Sequence, residues 1–193
     1  MITQIKKCLK SEAQALIELS NSIDEGVIPF LDYISKCKGK IFFIGVGKSL
    51  MVARKIASSF SSVGIASIEI DPLRLLHGDL GVLSNEDLII AISNSGETDI
   101  LVTALQNAKS LGVEIISITG NANSSIAKMS ASHILVKTEE AGAFALVPSS
   151  STTLVMALGD AILCGLVERN HIPIQEFFRY HPGGVLGRME GIK

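Results

Sequence analysis

A turn rich in hydroxyl groups follows one of the apolar runs of this sequence. Ser93-Asn94-Ser95-Gly96-Glu97-Thr98 comes directly after residues 88–92. Hydroxyl donors and the N–H groups of a helix start can together bind a phosphate group without many cations. The alternative is structural, with Ser95 and Thr98 only capping the next helix. Capping needs one hydroxyl group and this turn supplies several, so the pattern favours an anion site.

A second candidate loop, Gly45-Val46-Gly47-Lys48-Ser49, follows the apolar run 41–44. Its two glycines allow the backbone to approach a ligand at the start of a helix. A Walker A loop would need glycine in place of Phe42, and a Rossmann fingerprint would need glycine in place of Leu50. Asp71 stands about where a ribose-binding acid would be, so a nucleotide site and a plain tight turn stay open as alternatives.

Both candidate turns lie between short apolar runs that alternate with helix-length segments. The runs occupy residues 41–44, 65–70, 88–92, 113–118 and 133–136. Strands that are apolar on both faces are typical of parallel sheets covered by helices. The sequence therefore predicts an α/β fold, a three-layer α/β/α sandwich around a five-stranded parallel, doubly wound sheet. In such sheets the ligand lies beyond the carboxyl ends of the strands, where both turns fall.

Helical periodicity flanks this central region. Apolar residues at helical spacing over 3–36 predict two helices or one broken helix, and the tail from Pro148 predicts another, capped by Ser149-Ser150-Ser151. The length fits one domain. Its expected parts are a helical N-terminal segment at 1–38, the sheet and its helices at 39–170, and a C-terminal segment at 171–193.

Composition indicates a soluble chain with a small ligand. Hydrophobic residues make up 47% of the 193 residues, but no uninterrupted apolar run approaches the ~18 residues that a membrane span requires. The first residues lack the apolar stretch of an export signal, and the three cysteines are too scattered for a disulfide framework or a metal site. A net charge of −2 without a basic tract argues against nucleic acid. We expect a cytoplasmic protein with no membrane or nucleic-acid partner.

Together with other motifs, the two turns resemble the sugar isomerase (SIS) domain, and in particular the isomerase domain of bacterial arabinose-5-phosphate isomerases. Each motif is weak by itself, but the set is specific. The further motifs are His77-Gly78-Asp79-Leu80-Gly81, Ile118-Thr119-Gly120, Pro148 followed by Ser-Ser-Ser-Thr-Thr, and His181-Pro182-Gly183-Gly184 with Leu186-Gly187-Arg188.

The resemblance implies a phosphate-binding set and a catalytic set, with a sugar phosphate as partner and no metal or redox cofactor. The implied phosphate ligands are Ser49, Ser93, Asn94, Ser95 and Thr98. The implied catalytic residues are Lys48, His77, Glu140 and His181.

The implied activity is aldose–ketose isomerisation, with interconversion of D-arabinose 5-phosphate and D-ribulose 5-phosphate through an enediol. A base must move a carbon-bound proton between neighbouring carbons, and the carboxylate of Glu140 is suited to this. An acid is also needed, and histidine titrates near neutrality. The ammonium group of Lys48 would stabilise the enediolate charge.

Each catalytic assignment has a structural alternative. Glu140 with Glu139 would form a solvated acidic pair, His181 would shape the turn before Pro-Gly-Gly, and His77 would organise its loop. Outside the matching motifs, His133 and His171 are predicted to be structural. Two other functions stay open, a phosphosugar sensor without turnover and a nucleotide-binding α/β domain.

The sequence departs from the family at several positions. Ile100, next to Asp99, stands where the family has a second glutamate, and Asp71-Pro72-Leu73-Arg74 replaces a His-Pro-Gly-Glu loop. Gly142-Ala143 replaces Cys-Pro, and the sequence ends at Lys193, where many relatives continue into paired CBS domains. The sugar therefore stays open, and another pentose or a hexose phosphate is an alternative.

Long apolar helices at both ends of the chain indicate a homo-oligomer. Similar proteins are commonly tetramers, and a dimer is the alternative. In either case the resemblance implies that His181 reaches into the site of an adjacent subunit.

Overall fold

The computed structural model describes residues 1–183 and contains a single parallel sheet of five strands within that range. The strand order is β2-β1-β3-β4-β5. This confirms the predicted sheet, and each predicted run coincides with a strand to within one or two residues. The strands are β1 Ile41–Ile44, β2 Ser67–Ile70, β3 Leu88–Ser93, β4 Glu114–Thr119 and β5 Ser132–Leu135.

Helices cover both faces of the sheet, as the three-layer prediction requires. The two helices predicted near the N-terminus are α1 and α2, which a 3₁₀ turn at Glu25–Val27 separates. The helices are α1 Ile2–Ser22, α2 Ile28–Lys36, α3 Lys48–Ser61, α4 Pro72–Leu76, α5 Asp99–Ser110, α6 Ser125–Met129, α7 Ser150–Arg169 and α8 Ile174–Arg179.

Alternation of side chains along the strands creates two hydrophobic cores, one on each side of the sheet. In β1, Phe43 packs into the core formed with α1, α2, α3 and α7, whereas Phe42 packs into the core formed with α4, α5 and α6. In β3, Ile90 and Ile89 divide in the same way. Because successive side chains of a strand point to opposite faces, buried apolar residues at every position of β1, and at every position of β3 except its last residue Ser93, fit a sheet buried on both sides.

The strand order reverses between β1 and β3, and this point fixes where a ligand can bind. The chain runs outward from β1 to β2 on one side and, after returning, from β3 to β5 on the other. Ile44 of β1 pairs with Ala91 of β3, so the 45–49 loop and the 93–98 turn leave the sheet side by side. Doubly wound sheets bind ligands in the crevice at such a switch point.

Helix α7 is long and apolar enough by composition to cross a membrane, with a mean hydropathy of 1.6 in its most apolar window. Its buried residues nevertheless belong to the core beside α1 and α3, among them Leu154, Leu158, Ile162 and Leu166. A core helix has the same composition as a membrane-spanning one. The packing therefore accounts for the hydropathy of α7.

A close approach of α7 to α3 gives the first prediction. A Cβ atom added at Gly159 would stand 2.5 Å from two atoms of the buried Ile56 side chain, whereas one added at Gly165 on the same helix would meet nothing within 4 Å. We expect Gly159→Ala to lower the free energy of unfolding by about 1–3 kcal/mol because of overpacking. Gly165→Ala is the matched control and should raise it by up to about 1 kcal/mol through helix propensity. Urea unfolding measures both, and equal stabilisation by the two substitutions would contradict the close helix contact.

Candidate active site

A cavity opens at the carboxyl ends of β1, β3 and β4, at the switch point of the sheet. The space among its lining residues is about 300 Å³, counting the part that is open to solvent. The lining combines apolar side chains with hydroxyl and amide groups. The polar lining consists of Ser49, Ser93, Asn94, Thr119, Gly120, Ser151 and Thr152.

The elements around the cavity explain why these groups converge. Ser49 is the second residue of α3, and Ser93 and Thr119 are the last residues of β3 and β4. Ser151 is the second residue of α7. Since all strands of a parallel sheet end at one edge, residues far apart in sequence meet there. Three of the five predicted phosphate ligands, Ser49, Ser93 and Asn94, therefore share one cavity.

Ser95 and Thr98 lie in the same turn but outside the cavity lining. The Ser95 hydroxyl accepts a hydrogen bond from the Glu97 N–H at 3.2 Å, and Ser93 accepts one from the Gly96 N–H at 3.0 Å. Thr98 occupies the N-cap of α5, yet its side chain makes no capping hydrogen bond. The capping alternative is therefore wrong for Thr98.

Glu140 caps α7 and is hydrogen-bonded to Ser151, which lines the cavity, although Glu140 itself is not among the lining residues. Its Oε2 accepts hydrogen bonds from the N–H groups of Ser149 at 2.8 Å and Ser151 at 3.2 Å, and from the Ser149 hydroxyl at 3.1 Å. Its Oε1 accepts from the Ser151 hydroxyl. The predicted serine cap is thus corrected: a carboxylate, which also suits the positive end of the helix dipole, caps the helix.

These contacts keep Glu140 ionised. Partial burial raises the pKa of its carboxyl, but the hydrogen bonds from Ser151 and Ser149 together lower it by more, so the pKa lies below its ordinary value. Hydrogen bonds to the charged form always act in this direction. At neutral pH the side chain is therefore an anion hydrogen-bonded to the lining residue Ser151, and the interpretation of Glu139 and Glu140 as a solvated acidic pair is wrong for Glu140.

The other predicted catalytic side chains are not assembled at the cavity within this one chain. Lys48 is exposed at the first residue of α3, next to Ser49. His77 is exposed at the end of α4. His181 is half-buried and stacks on Phe177 with a ring-centroid distance of 4.0 Å, and its Nδ1 lies 2.6 Å from the Phe177 carbonyl oxygen.

The positions that depart from the family have ordinary structural roles here. Asp99 is exposed in the first turn of α5 and is not among the residues that line the cavity. Asp71 caps α4, because its carboxylate accepts a hydrogen bond from the Leu73 N–H at 2.8 Å. Arg74 forms an ion pair with Asp79 at 2.5 Å. The motif residues Gly184 and Leu186-Gly187-Arg188 lie outside the described residues.

Sequence reasoning assigned no ligand-binding role to four of the polar lining residues, namely Thr119, Gly120, Ser151 and Thr152. A signal was present, since all four belong to motifs that resemble the SIS domain. His133, predicted to be structural, contacts this lining: its Nε2 lies 3.0 Å from the Thr119 hydroxyl, and burial lowers the pKa of the imidazole. Residues 1–183 contain no group of three or more His, Cys, Asp or Glu side chains placed to hold a metal ion.

Comparison with known proteins places this geometry in a family. The family model described as SIS domain matches residues 33–164, which include the five strands described above and all the residues that line the cavity. The chain belongs to the SIS domain family. This confirms the resemblance and the fold that it implied.

Curated relatives within the SIS family carry arabinose 5-phosphate isomerase names. The chain is 40% identical over 190 residues to the arabinose 5-phosphate isomerase KpsF of Escherichia coli strain CFT073, and 38% identical over 184 residues to the arabinose 5-phosphate isomerase KdsD of Shigella flexneri. These alignments cover 97% and 95% of the chain but only 58% and 56% of the relatives. The chain thus spans somewhat more than half the length of these relatives.

A solved SIS structure of similar size superposes closely on this chain. It is a protein of Escherichia coli CFT073 in complex with arabinose 5-phosphate, with a TM-score of 0.90 and 36% sequence identity. The match covers 94% of this chain and 97% of the other. The three-layer α/β/α architecture is therefore that of the SIS fold.

The hydrogen bonds of Glu140 predict a pH-dependent stability. Because its pKa is lowered in the folded protein, its contribution is present above the ordinary value of 4.5 and is lost as the pH falls through the folded pKa. We expect Glu140→Gln to lower the free energy of unfolding by about 1 kcal/mol at neutral pH. The difference from the parent should shrink as the solution is acidified below 4.5.

Urea unfolding at a series of pH values measures this difference. Glu139→Gln, at the neighbouring exposed acid, is the control and should change stability little. A difference for Glu140→Gln that stays constant with pH would contradict the capping role of the carboxylate.

Proposed function

We propose that this chain is an aldose–ketose isomerase of sugar phosphates that interconverts D-arabinose 5-phosphate and D-ribulose 5-phosphate. One observation carries the proposal: the ionised carboxylate of Glu140 is hydrogen-bonded to Ser151, which lines the same cavity as Ser49 and Ser93. A base and a set of anion-binding groups thus border one space. The names of the curated relatives and the ligand of the similar solved structure support this choice of substrate.

The phosphate group would bind between the starts of α3 and α5. Ser49 stands at one helix start, and Ser93, Asn94, Ser95 and Thr98 line the turn into the other. Both helices direct the positive ends of their dipoles to this place. Exposed Lys48 adds a cation next to Ser49 in the chain, so a dianionic ester would be held by neutral donors together with this cation.

The chemistry is a proton transfer between two neighbouring carbons. In the open-chain aldose, Glu140 would remove the proton from C2, and the electron pair would form a C1–C2 double bond while the aldehyde oxygen takes up a proton. Return of a proton to C1 and loss of the proton from the C2 hydroxyl give the ketose. Aldose and ketose are isomers, so no atoms or electrons enter or leave. Lys48 would stabilise the negative charge that develops on oxygen.

The hydrogen bonds of Glu140 set a condition on this mechanism. Each bond from Ser149 or Ser151 stabilises the ionised form, so a carboxylate with the full set is a weak base. We infer that substrate binding must weaken at least one of these contacts before the proton is taken. The Ser151 hydroxyl is the natural candidate, because Ser151 also lines the cavity.

The acid would come from His77 or His181, and neither lies at the cavity of its own chain. We infer that a neighbouring subunit supplies it, so that the active form is a homo-oligomer, a tetramer or a dimer. Exposed apolar side chains along α1 support this inference, among them Ile2, Ile5, Leu9 and Ile17. We further propose that residues 1–193 form one SIS domain, that the enzyme acts in the cytoplasm, and that it uses no cofactor.

A second candidate function is a phosphosugar sensor that binds its ligand without turnover. The observation that favours it is the fully hydrogen-bonded state of Glu140 together with Ile100 in place of a second glutamate. In this case the carboxylate serves only as a helix cap. Binding without ketose formation would distinguish the sensor from the isomerase.

The proposed function predicts turnover that depends on the 93–98 turn. Incubation with arabinose 5-phosphate should form a ketose, measured colorimetrically beside ribose 5-phosphate and glucose 6-phosphate. Replacing Ser95 and Thr98 together by alanine should raise KM at least about tenfold, because hydrogen bonds to a charged group are lost. Ser110→Ala, at the exposed far end of α5, is the control.

An unchanged KM in the Ser95 and Thr98 double variant would overturn the phosphate assignment. Binding of sugar phosphates by the parent protein without any ketose would overturn the isomerase and favour the sensor. Stabilisation against heat by nucleotides but not by sugar phosphates would favour the nucleotide-binding alternative.

The proposed homo-oligomer leads to a separate prediction. Sedimentation at micromolar concentration should show a dimer or tetramer, since exposed apolar surface on α1 needs a partner. Replacing Ile5 and Leu9 by glutamate should shift the chain towards monomer, whereas Lys6→Glu and Lys10→Glu, exposed charge changes on the same helix, should change its mass less. A monomeric parent would contradict the shared site.

A further inference from the structure

Three hydrogen bonds join the proposed phosphate-binding turn, residues 93–98, to the segment that follows β4. The Gly120 N–H donates to the Asn94 carbonyl oxygen at 2.9 Å, and the Ile126 N–H donates to the Gly96 carbonyl oxygen at 3.2 Å. The third link uses a side chain: Glu97 Oε1 accepts a hydrogen bond from the Ser125 N–H at 2.8 Å. These three bonds span the length of the turn.

Two glycines allow the loops to come this close. Gly96 has a φ of +68°, and a Cβ atom there would collide with the Ser124 side chain. A Cβ atom at Gly120 would stand 2.5 Å from Asn94 Oδ1 and 2.7 Å from its carbonyl oxygen. The two loops are therefore in close contact at Asn94 and Gly96, immediately before Glu97.

Glu97 is an unexpected residue in a turn that would bind a dianion, because a carboxylate repels phosphate. Its position resolves the conflict. The side chain reaches across to Ser125 at the start of α6, and hydrogen bonds from the Ser125 hydroxyl and N–H lower the pKa of Glu97 below its usual value. The negative charge of Glu97 thus accepts hydrogen bonds between the two loops, and Glu97 is not among the residues that line the cavity.

We propose that Glu97 is a positioning residue, whose carboxylate holds the 93–98 turn against Ser125 so that the phosphate-binding hydroxyl and N–H groups are already in place before the ligand arrives. A turn without this link would have to become ordered on binding, and that cost would weaken affinity. The inference rests on the proposed phosphate site but not on the identity of the sugar.

This role predicts an effect on binding and not on the chemical step. Glu97 touches neither the reacting carbons nor Glu140, so its removal should act on KM while kcat stays nearly constant. A residue needed only for folding would lower stability without this separation of KM from kcat. Fast hydrogen exchange of the 93–98 amides would report loss of the link in the protein alone.

Three variants test different parts of the link between Glu97 and Ser125: the negative charge of Glu97, its hydrogen-bond acceptor, and the donors of Ser125. Glu97→Gln keeps an oxygen that can accept from Ser125, and Glu97→Ala removes it. Ser125→Pro removes both donors, and proline is well tolerated at the first residue of a helix. Ser124 already has φ −69° and ψ 160°, which suits the residue before proline. Glu168→Ala, at an exposed glutamate near the end of α7, is the control.

We expect Glu97→Ala and Ser125→Pro each to raise KM for arabinose 5-phosphate about tenfold. Each variant loses one charge-assisted hydrogen bond, and the loss of one such bond weakens binding by about this factor. Glu97→Gln should restore KM to within about threefold of the parent. Both changes remove the same interaction between Glu97 and Ser125. The combined Glu97→Ala and Ser125→Pro variant should therefore raise KM no more than either change alone. Amide exchange in the 93–98 turn should accelerate in parallel.

The proposal is overturned if Glu97→Ala leaves KM and amide exchange of the turn unchanged, or if the two changes add independently. It is also overturned if Glu97→Gln behaves like Glu97→Ala in both measurements. If the parent neither binds nor converts any sugar phosphate, the proposed function fails. The exchange measurement then still decides whether Glu97 holds the turn.

Discussion

The pairing of β1 with β3 is the constraint on which the rest of this molecule depends. Ile44 opposite Ala91 sets the register, and the reversal of strand order at this pair leaves a crevice that no crossover helix covers. The glycine loop and the serine-rich turn are 44 residues apart in sequence (from residue 49 to residue 93), yet they share a cavity because of this one ladder. Buried apolar side chains on both faces keep this pair of strands in place, so the two hydrophobic cores hold the loops that follow β1 and β3 in position.

The helices that begin at this edge of the sheet differ in whether an acidic side chain caps them. The start of α7 is occupied by Glu140, whose negative charge satisfies its N–H groups. The starts of α3 and α5 carry hydroxyl groups, and although Asp99 lies in the first turn of α5, no acidic side chain caps either helix, so the proposed phosphate would bind there. Glu97 would have been a competing charge, but its hydrogen bond to Ser125 holds it against α6. A base and an anion site can thus be neighbours without their charges conflicting.

Most of the architecture was predictable from the sequence, because continuous apolar runs such as 88–92 have a direct physical cause in a sheet buried on both sides. The convergence of Ser49 with Ser93 followed from the same rule. The cap of α7 was not predictable in this way: serines before a helix usually cap it, and only the folded loop brings Glu140 back to Ser149 and Ser151. Local patterns also do not tell where an exposed side chain such as His77 will find a partner, since that depends on surfaces beyond one chain.

The cavity lining includes hydroxyl and amide groups, and Lys48 directly precedes Ser49 at the start of α3. Recognition by oriented neutral donors follows the shape of the ligand more than its charge, and dissolved ions screen it weakly. A phosphate ester offers three acceptor oxygens to such donors, one more than a carboxylate. On the proposed function, the affinity for the sugar phosphate would therefore vary little with the salt concentration of the solution.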